Sequence, residues 1–354
     1  MKIVVFDVAA DRGGALSVLL AAHGAALRAE EHDWVFVTSQ PELAESAHVS
    51  PRRYPWVKRS WLHRLWFDLM VAPKIVKQEK PDVVVSLQNV TTPLVHQRQV
   101  VYLHTALPFS PYRFKLGRNP KLWLYQQLVT RRIRRSVKKA DKVVVQAPWI
   151  KKAVTQTTGI DPARLDVIRP TVTSPASTER YQATVAQRRR FFYPAGALPY
   201  KNHELIFAAA EKLQRADIDV EINCTISPED LRILHLDHVP GNVQLIGHIP
   251  FEEVQHEYTQ SALIFPSRLE TVGLPLMEAQ ARQTFVLAAD LPYAHDALAG
   301  YRNALFFDPN DPDGLADLIM PVAEGQSPHS TVPSPRAEQT TDPWDEFIRV
   351  VTNR

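Results

Sequence analysis

Short apolar runs alternate with amphipathic stretches along almost the whole chain. In the first half, Lys2 to Asp7, Trp34 to Thr38, Asp82 to Ser86, Gln99 to Leu103, Lys142 to Gln146 and Leu165 to Ile168 have the length and near-continuous apolar character of strands covered on both faces. Between them, Arg12 to Ala29, Trp61 to Lys80, a basic stretch ending near Lys139 and a segment from Pro148 carry helical spacing. The turn-rich run Arg169-Pro-Thr-Val-Thr-Ser-Pro-Ala-Ser-Thr interrupts the pattern. It then restarts, with strands near Phe191, Asp219 to Cys224, Val243 to Ile246, near Ile264, Phe285 to Ala288 and Ala304 to Phe307. Helices are expected from Lys201, Phe251, Leu274 and Pro312.

Strand and helix in alternation imply parallel sheets with helices on both faces. The expectation is an α/β chain of two doubly wound Rossmann-like domains facing each other across a cleft. Residues 1–172 form the first domain, 173–187 a linker and 188–322 the second domain. Residues 323–342, rich in Ser, Thr and Pro, form a flexible segment, and 343–354 hold a last amphipathic helix. A length of 354 residues suits two domains of ordinary size.

Charge divides the chain as well. Residues 1–180 carry 28 Lys/Arg against 14 Asp/Glu, net +14, and the remainder 13 against 24, net −11. The excess sits in Pro51 to Trp66, where Arg52, Arg53, Lys58, Arg59 and Arg64 are interleaved with Tyr54, Trp56, Trp61 and Trp66, and in Arg113 to Lys152. Within the latter, residues 121–135 mix apolar and basic positions at helical spacing. Such a helix suits an anionic membrane surface. Nucleic acid is the weaker alternative, and a solvated helix packed by Leu124, Leu128 and Ile133 is the structural one. No run of about eighteen apolar residues occurs, and the N-terminal apolar stretch is too short for a signal peptide. A soluble or peripheral, cytoplasmic protein is expected. The single cysteine, Cys224, rules out an internal disulfide and any multi-thiolate metal site. It falls on the apolar side of its strand and reads as a core thiol.

The most informative motif is Glu270-Thr-Val-Gly-Leu-Pro-Leu-Met-Glu278. A short buried strand, Ser261-Ala-Leu-Ile-Phe-Pro266, precedes it, and a helix from Leu274 follows. Strand, loop with an acid and a glycine, then helix N-terminus is how α/β proteins present backbone N–H groups to a phosphate. About seventy residues earlier, Tyr193-Pro-Ala-Gly196-Ala-Leu-Pro-Tyr-Lys201-Asn-His203 places a lysine where another strand gives way to a helix. Other chemistries lack their motifs. There is no G-x-G for a dinucleotide or P-loop site, no G-x-S-x-G elbow, and the lone Glu253/His256 pair has no second pair to complete a metal site.

Together these pieces resemble the family 4 (group 1) glycosyltransferases, retaining enzymes of the GT-B fold that use nucleotide-sugar donors. The Glu270 to Glu278 run followed by Ala279 matches the family's E-x7-E element. The Lys201 loop, and Asp11-Arg-Gly13-Gly14-Ala15 after the first strand, are similar to its donor-phosphate elements. His104 in Val100-Val-Tyr-Leu-His-Thr-Ala-Leu-Pro108, and Val144-Val-Gln146-Ala-Pro-Trp149, look like elements of the N-terminal side. The final helix looks like the segment that crosses back to the first domain. Two departures are visible: the arginine often found beside the donor-loop glycine is missing from Gly196-Ala197-Leu198, and the usual small glycine turn after Glu278 reads Arg282-Gln283-Thr284-Phe285.

The resemblance implies roles for particular residues. Lys201, Gly196 and the N–H groups around Thr271, Val272, Gly273 and Leu274 would stabilise the leaving diphosphate, with Gly13 and Gly14 letting backbone approach the same phosphate. Glu278 would take the ribose hydroxyls and Glu270 those of the donor sugar, while His104 would hydrogen-bond near sugar and acceptor. The expected function is retaining, metal-independent transfer of a sugar from a nucleotide-diphosphate sugar to a glycan or lipid-linked acceptor, in bacterial surface polysaccharide synthesis at the inner face of the membrane. No cofactor is expected, and nucleic acid is not expected as a partner. The alternatives are a non-catalytic scaffold or membrane-associated binding protein of the same fold, and a nucleotide-sugar epimerase.

Overall fold

The computed structural model describes residues 1–11, 13–170, 179–326 and 342–353. Two compact units emerge: Met1–Thr171 with Gln339–Arg354, and Val172–Glu338. The first holds β1 (Lys2–Asp7), α1 (Gly13–Arg28), β2 (Asp33–Thr38), β3 (Val49–Arg53), α2 (Trp61–Trp66), α3 (Ala72–Glu79), β4 (Val83–Ser86), β5 (Arg98–Leu103), α4 (Pro120–Lys139), β6 (Lys142–Val145), α5 (Pro148–Thr158) and β7 (Leu165–Val167). The second holds α6 (Val185–Arg188), β8 (Arg190–Tyr193), α7 (His203–Arg215), β9 (Glu221–Cys224), α8 (Leu231–Leu234), β10 (Val243–Leu245), α9 (Phe251–Gln260), β11 (Ala262–Phe265), α10 (Leu274–Ala281), β12 (Val286–Ala289), α11 (Pro292–Ala297), β13 (Ala304–Phe307) and α12 (Pro312–Ala323). The closing helix α13 (Pro343–Thr352) belongs to the first unit. The turn-rich run expected to link the halves and most of the expected flexible segment, residues 171–178 and 327–341, lie outside the described residues.

Each unit is a Rossmann-like layer structure. The sheets run β3-β2-β1-β4-β5-β6-β7 and β10-β9-β8-β11-β12-β13, and every ladder is parallel, as the alternation predicts. Both sheets reverse their winding once, between β1 and β4 in the first and between β8 and β11 in the second. At such a point, helices leave to opposite faces and open a crevice at the carboxyl ends of the strands.

Burial on both sides explains the continuous apolar strands. Ile3 and Val5 face one cluster with Leu19, Trp34, Val83 and Phe347, while Val4 and Phe6 face another with Val37, Phe67, Ile75 and Val84. The first cluster needs α13. Phe347 and Val351 are buried in it, Trp344 stacks on Tyr102 at 5.4 Å, and Arg98 donates to the carbonyls of Val351 and Val350 at 2.7 and 3.0 Å. That guanidinium satisfies carbonyls left open in the last turn of the helix.

Two local features depart from the sequence reading. Residues 49–53 form a strand despite Pro51, which has no amide to donate. It is tolerated because β3 is the edge of its sheet. The long helix expected from Trp61 to Lys80 is split by a π-helical turn at Phe67–Val71. There the buried Asp68 accepts from Arg64 Nε at 3.1 Å and from Arg132 Nη2 of α4 at 2.6 Å, joining the two basic segments. Among the described residues no helix is long and apolar enough to cross a membrane.

Phe347→Ala should cost about 3–5 kcal/mol, since it empties a fully packed aromatic site; urea unfolding of the whole chain measures it. A second expectation concerns Asp7, buried at the end of β1, where Oδ1 accepts from Ala10 N–H at 3.2 Å. Burial pushes its carboxyl up to about 7, against the lowering influence of that bond and of Arg64 and Lys58. A carboxyl raised on folding stabilises most below its unfolded value, near 4, and that stability is lost as pH climbs through about 7. Asp7→Asn should therefore flatten the fall in stability between pH 4 and 7 and be more stable at pH 8 by up to about 4 kcal/mol, as urea midpoints at the two ends of that range would register.

Candidate active site

In the second unit the winding reversal falls between β8 and β11, and the segments leaving these two strands carry the predicted donor residues. β8 ends at Tyr193, and the chain runs through a 3-10 turn, Pro199–Lys201, into α7. Asn202 sits between turn and helix with φ of 63°. It is wholly buried, and its Nδ2 donates to the carbonyls of Pro266 at 3.2 Å and Pro309 at 2.9 Å. Tyr193 Oη donates to the Lys201 carbonyl at 2.6 Å. Three hydrogen bonds, to Tyr193, Pro266 and Pro309, thus fix the backbone from which the lysine side chain projects.

That side chain meets Glu270. Lys201 Nζ lies 2.5 Å from Glu270 Oε1, with side chains only 18% and 16% exposed. The ammonium also lies 5.7 Å from the Tyr200 ring and 5.8 Å from the Phe265 ring, where the ring faces favour a cation. Around the pair, burial and then the Glu270 charge push the hydroxyls of Tyr193 and Tyr293 well up and that of Tyr200 to about 12. All three stay protonated at neutral pH. Tyr193 and Tyr293 spend their protons on carbonyls, Tyr293 on Ser267 at 2.6 Å.

The loop between Glu270 and α10 needs its glycine. Gly273 has φ of +75°, and a Cβ there would come within 3.2 Å of Leu276 and Tyr293. α10 begins without a side-chain cap and with proline in its first turn, so its leading N–H groups keep their positive character for an acceptor from outside the helix. Thr271 and Val272 are partly exposed in the loop and Leu274 is exposed at the helix start. Further along α10, Glu278 Oε2 accepts from Tyr258 Oη at 2.9 Å. Burial raises this carboxyl and the tyrosine hydrogen bond lowers it.

Arg268 packs against the same loop but is committed elsewhere. Its amide donates to the Tyr200 carbonyl at 2.8 Å, and its guanidinium to Glu204 at 3.2 Å and the Pro309 carbonyl at 3.1 Å. It holds loops together, and Lys201 is the cation placed on Glu270. At Gly196 a Cβ would meet nothing within 4 Å, so nothing in the chain itself calls for glycine there.

In the first unit, Gly13 begins α1 with φ of +59°, a conformation that favours glycine, while Gly14 has open space around it. His104 follows β5. Its amide donates to Asn89 Oδ1 at 2.8 Å, and Nε2 lies 2.8 Å from the Leu87 carbonyl. The same Nε2 lies 3.1 Å from Asn89 Nδ2, so an acceptor and a donor both face this nitrogen. Burial pushes the imidazole below its ordinary value against the opposing effect of the Leu87 bond, and the ring is neutral at pH 7. Gln146 Nε2 donates to Tyr102 Oη at 3.2 Å.

The second unit therefore brings Lys201 together with Glu270, and Glu278 with Tyr258; Gly13, Gly14 and His104 belong to the first unit. Asn202, Tyr193 and Tyr258 were missed by the sequence reading. A signal existed for Asn202, since asparagine before a helix tolerates the left-handed region. None existed for the tyrosines, whose partners are set by tertiary packing. Among the described residues no group of three or more His, Cys, Asp or Glu gathers that could hold a metal.

Two units, each a parallel sheet with one winding reversal, define a two-part Rossmann-like α/β fold. Comparison with known proteins gives the family. Residues 13–174 match Glycosyltransferase Family 4, and residues 178–339 match Glycosyl transferases group 1. The chain belongs to this family of GT-B glycosyltransferases. It is 23% identical over 293 residues to the O-antigen chain mannosyltransferase RfbU of Salmonella typhimurium, covering 81% of this chain and 76% of that protein. Among solved structures it is similar to WaaG, a glycosyltransferase involved in lipopolysaccharide biosynthesis, with a TM-score of 0.63, 13% identity and full coverage of both chains. It is also similar to a mutant of S. aureus TarM in complex with fondaparinux, alpha-GlcNAc-glycerol and UDP, with a TM-score of 0.55 and 14% identity over 73% of this chain; it spans about half, 52%, of TarM.

Because Lys201 and Glu270 are both largely covered, removing one leaves a charge without a partner. Lys201→Ala should cost about 2–4 kcal/mol, and Lys201→Ala/Glu270→Ala should recover part of that loss. Urea unfolding of the two single variants and the double variant closes the cycle.

Proposed function

We propose that this glycosyltransferase is a retaining, metal-independent enzyme that moves a sugar from a nucleotide-diphosphate sugar to a glycan or lipid-linked acceptor in bacterial surface polysaccharide synthesis. The observation that carries this reading is the Lys201–Glu270 pair at the carboxyl ends of β8 and β11, beside the uncapped start of α10. The O-antigen mannosyltransferase and lipopolysaccharide glycosyltransferase to which the chain is similar support the polysaccharide context.

The chemistry follows from charge. As the bond between the anomeric carbon and the phosphate oxygen breaks, negative charge grows on the diphosphate. The Lys201 ammonium and the N–H groups from Val272 to Leu274 meet it, stabilising the transition state more than the ground state. The lysine and the helix start thereby do the work of a divalent ion. Glu270 holds hydroxyls of the donor sugar and Glu278 those of the ribose. The acceptor oxygen bonds to the anomeric carbon on the face the phosphate leaves, and its proton passes to the departing phosphate oxygen, so configuration is retained without a covalent enzyme intermediate. His104 hydrogen-bonds a sugar or acceptor hydroxyl.

The same reading places the enzyme on an anionic membrane at the inner face of the cytoplasmic membrane, through its first unit. Trp61, Leu62, Trp66 and Met70 are each more than half exposed, as are Leu124 and Leu128 of α4. The residues of α2 and its π-turn line an apolar cavity of about 530 Å³. Arg59, Arg64, Arg131, Arg132 and Arg135 flank these side chains, with Asp68 tying α2 to α4. Apolar insertion flanked by cations is what an anionic bilayer binds.

Thermal unfolding with UDP, GDP, dTDP or ADP in the presence of EDTA tests the donor half. One diphosphate should stabilise the protein, by about 2.7 kcal/mol at a hundredfold excess over Kd, and Glu278→Ala should remove the effect; no shift with any diphosphate, or a shift only with added metal, would overturn the reading. With the matching nucleotide sugar, Glu270→Ala should lower kcat at least about a hundredfold. For the membrane half, Trp61→Ser/Trp66→Ser should abolish flotation with vesicles containing phosphatidylglycerol while leaving diphosphate binding unchanged.

A further inference from the structure

Glu278 lies on α10 with its carboxyl largely covered by protein, an expensive place for a charge that must be ionised to accept two ribose hydroxyls. Its partner in this structure is the hydroxyl of Tyr258, on the preceding helix α9, 2.9 Å from Oε2. Tyr258 has no exposed surface. Its ring packs edge-on against Phe192 of β8 at 5.8 Å, and its carbonyl accepts from Thr284 Oγ1 at 2.6 Å. The tyrosine is therefore anchored on both sides, and its hydroxyl donates to Glu278.

Among the described residues the surrounding groups leave Glu278 without another such partner. On α9, Glu257 takes the hydroxyl of Ser261 at 3.1 Å and lies near Arg190, and His256 lies beside Glu179. On α11, Tyr293 donates to Ser267, and His295 is paired with Asp290, with Asp296 beside it on the same helix. β11 contributes Ala262 to Phe265 and no titratable group.

We infer that Tyr258 is a positioning residue for nucleotide recognition: its buried hydroxyl holds the Glu278 carboxylate ionised and oriented so that the second oxygen remains available to the ribose. This rests on the assignment of Glu278 to the ribose. The hydroxyl contributes a hydrogen bond to a charged acceptor, which is worth more than a neutral one. It opposes the effect of burial, which raises the Glu278 carboxyl. Without it, the carboxyl takes up a proton at higher pH, and a protonated acid offers the ribose one acceptor fewer.

Tyr258→Phe removes only the oxygen and keeps the ring against Phe192. Diphosphate affinity, measured by calorimetry with the nucleotide that binds wild type, should fall about tenfold at pH 6 and about threefold or less at pH 8.5. The acid limb of the affinity profile should move to higher pH. Thr284→Val, which loosens the same tyrosine through its carbonyl, should lower thermal stability without moving the limb. Titration of the Glu278 carboxyl by carbon-13 NMR, without ligand, gives an independent readout and should move up in Tyr258→Phe. An unchanged carboxyl titration, or an affinity loss equal at both pH values, would overturn the inference. A shifted carboxyl titration in a protein whose wild type binds no diphosphate would keep the tyrosine's hold on Glu278 and remove the assignment to ribose.

Discussion

Parallel pairing delivers the carboxyl ends of neighbouring strands to one edge of a sheet, and the second unit depends on this constraint at β8 and β11. Phe191 pairs with Ala262 and Phe192 with Leu263, so the chain leaves Tyr193 and Phe265 side by side, their rings 5.9 Å apart. One exit carries a lysine and the other a glutamate. Once the winding reverses between the two strands, the segments must diverge to opposite faces, and two oppositely charged side chains from distant parts of the sequence meet over the sheet edge. Lys201 and Glu270 are 69 residues apart, so neither would be held without the ladder beneath them.

A charged pair with little exposure is an uncertain source of stability, because the cost of desolvating both partners consumes much of the Coulomb attraction. The structure surrounds it with groups that reduce the cost. Tyr193 and Tyr293 keep their protons and direct them at backbone carbonyls, and two ring faces lie near the ammonium. Asn202 makes the turn that a side chain with Cβ seldom makes and compensates with two hydrogen bonds to separate loops. The rigidity of this edge comes from backbone satisfaction, and the two ionic side chains are carried on it.

Much of this was legible in the sequence where a local rule applied. The parallel sheets followed from runs such as Val83 to Ser86 lying between amphipathic stretches, and Lys201, Glu270 and Gly273 could be picked out because strand, loop and helix start were recognisable around each. What escaped was set by position in three dimensions. In the sequence the segment around Pro51 reads for its charge alone, and its strand shows only in the structure, where β3 is an edge. The helix after Trp61 has an unbroken helical pattern, and at its π-turn the buried Asp68 is held by Arg64 and by Arg132 of α4, a partner distant in sequence. Tyr258 reads as one more apolar position of α9, since nothing within a few residues announces that its hydroxyl meets a carboxylate twenty positions away.

The return of α13 has a bearing on how the molecule is made. The second unit is inserted between the body of the first and the helix that completes its core. During synthesis, which proceeds from the N-terminus at a finite rate, the face formed by Ile3, Val5, Trp34 and Tyr102, packed early by Leu19 and Ala22 of α1, waits for Phe347 and Val351 until the second unit has emerged. The second unit, by contrast, has all its strands in hand about thirty-five residues before α13 arrives. The order of completion on the ribosome is thus the reverse of the order in the gene, and the nascent chain carries a half-covered apolar sheet face through the synthesis of the second unit.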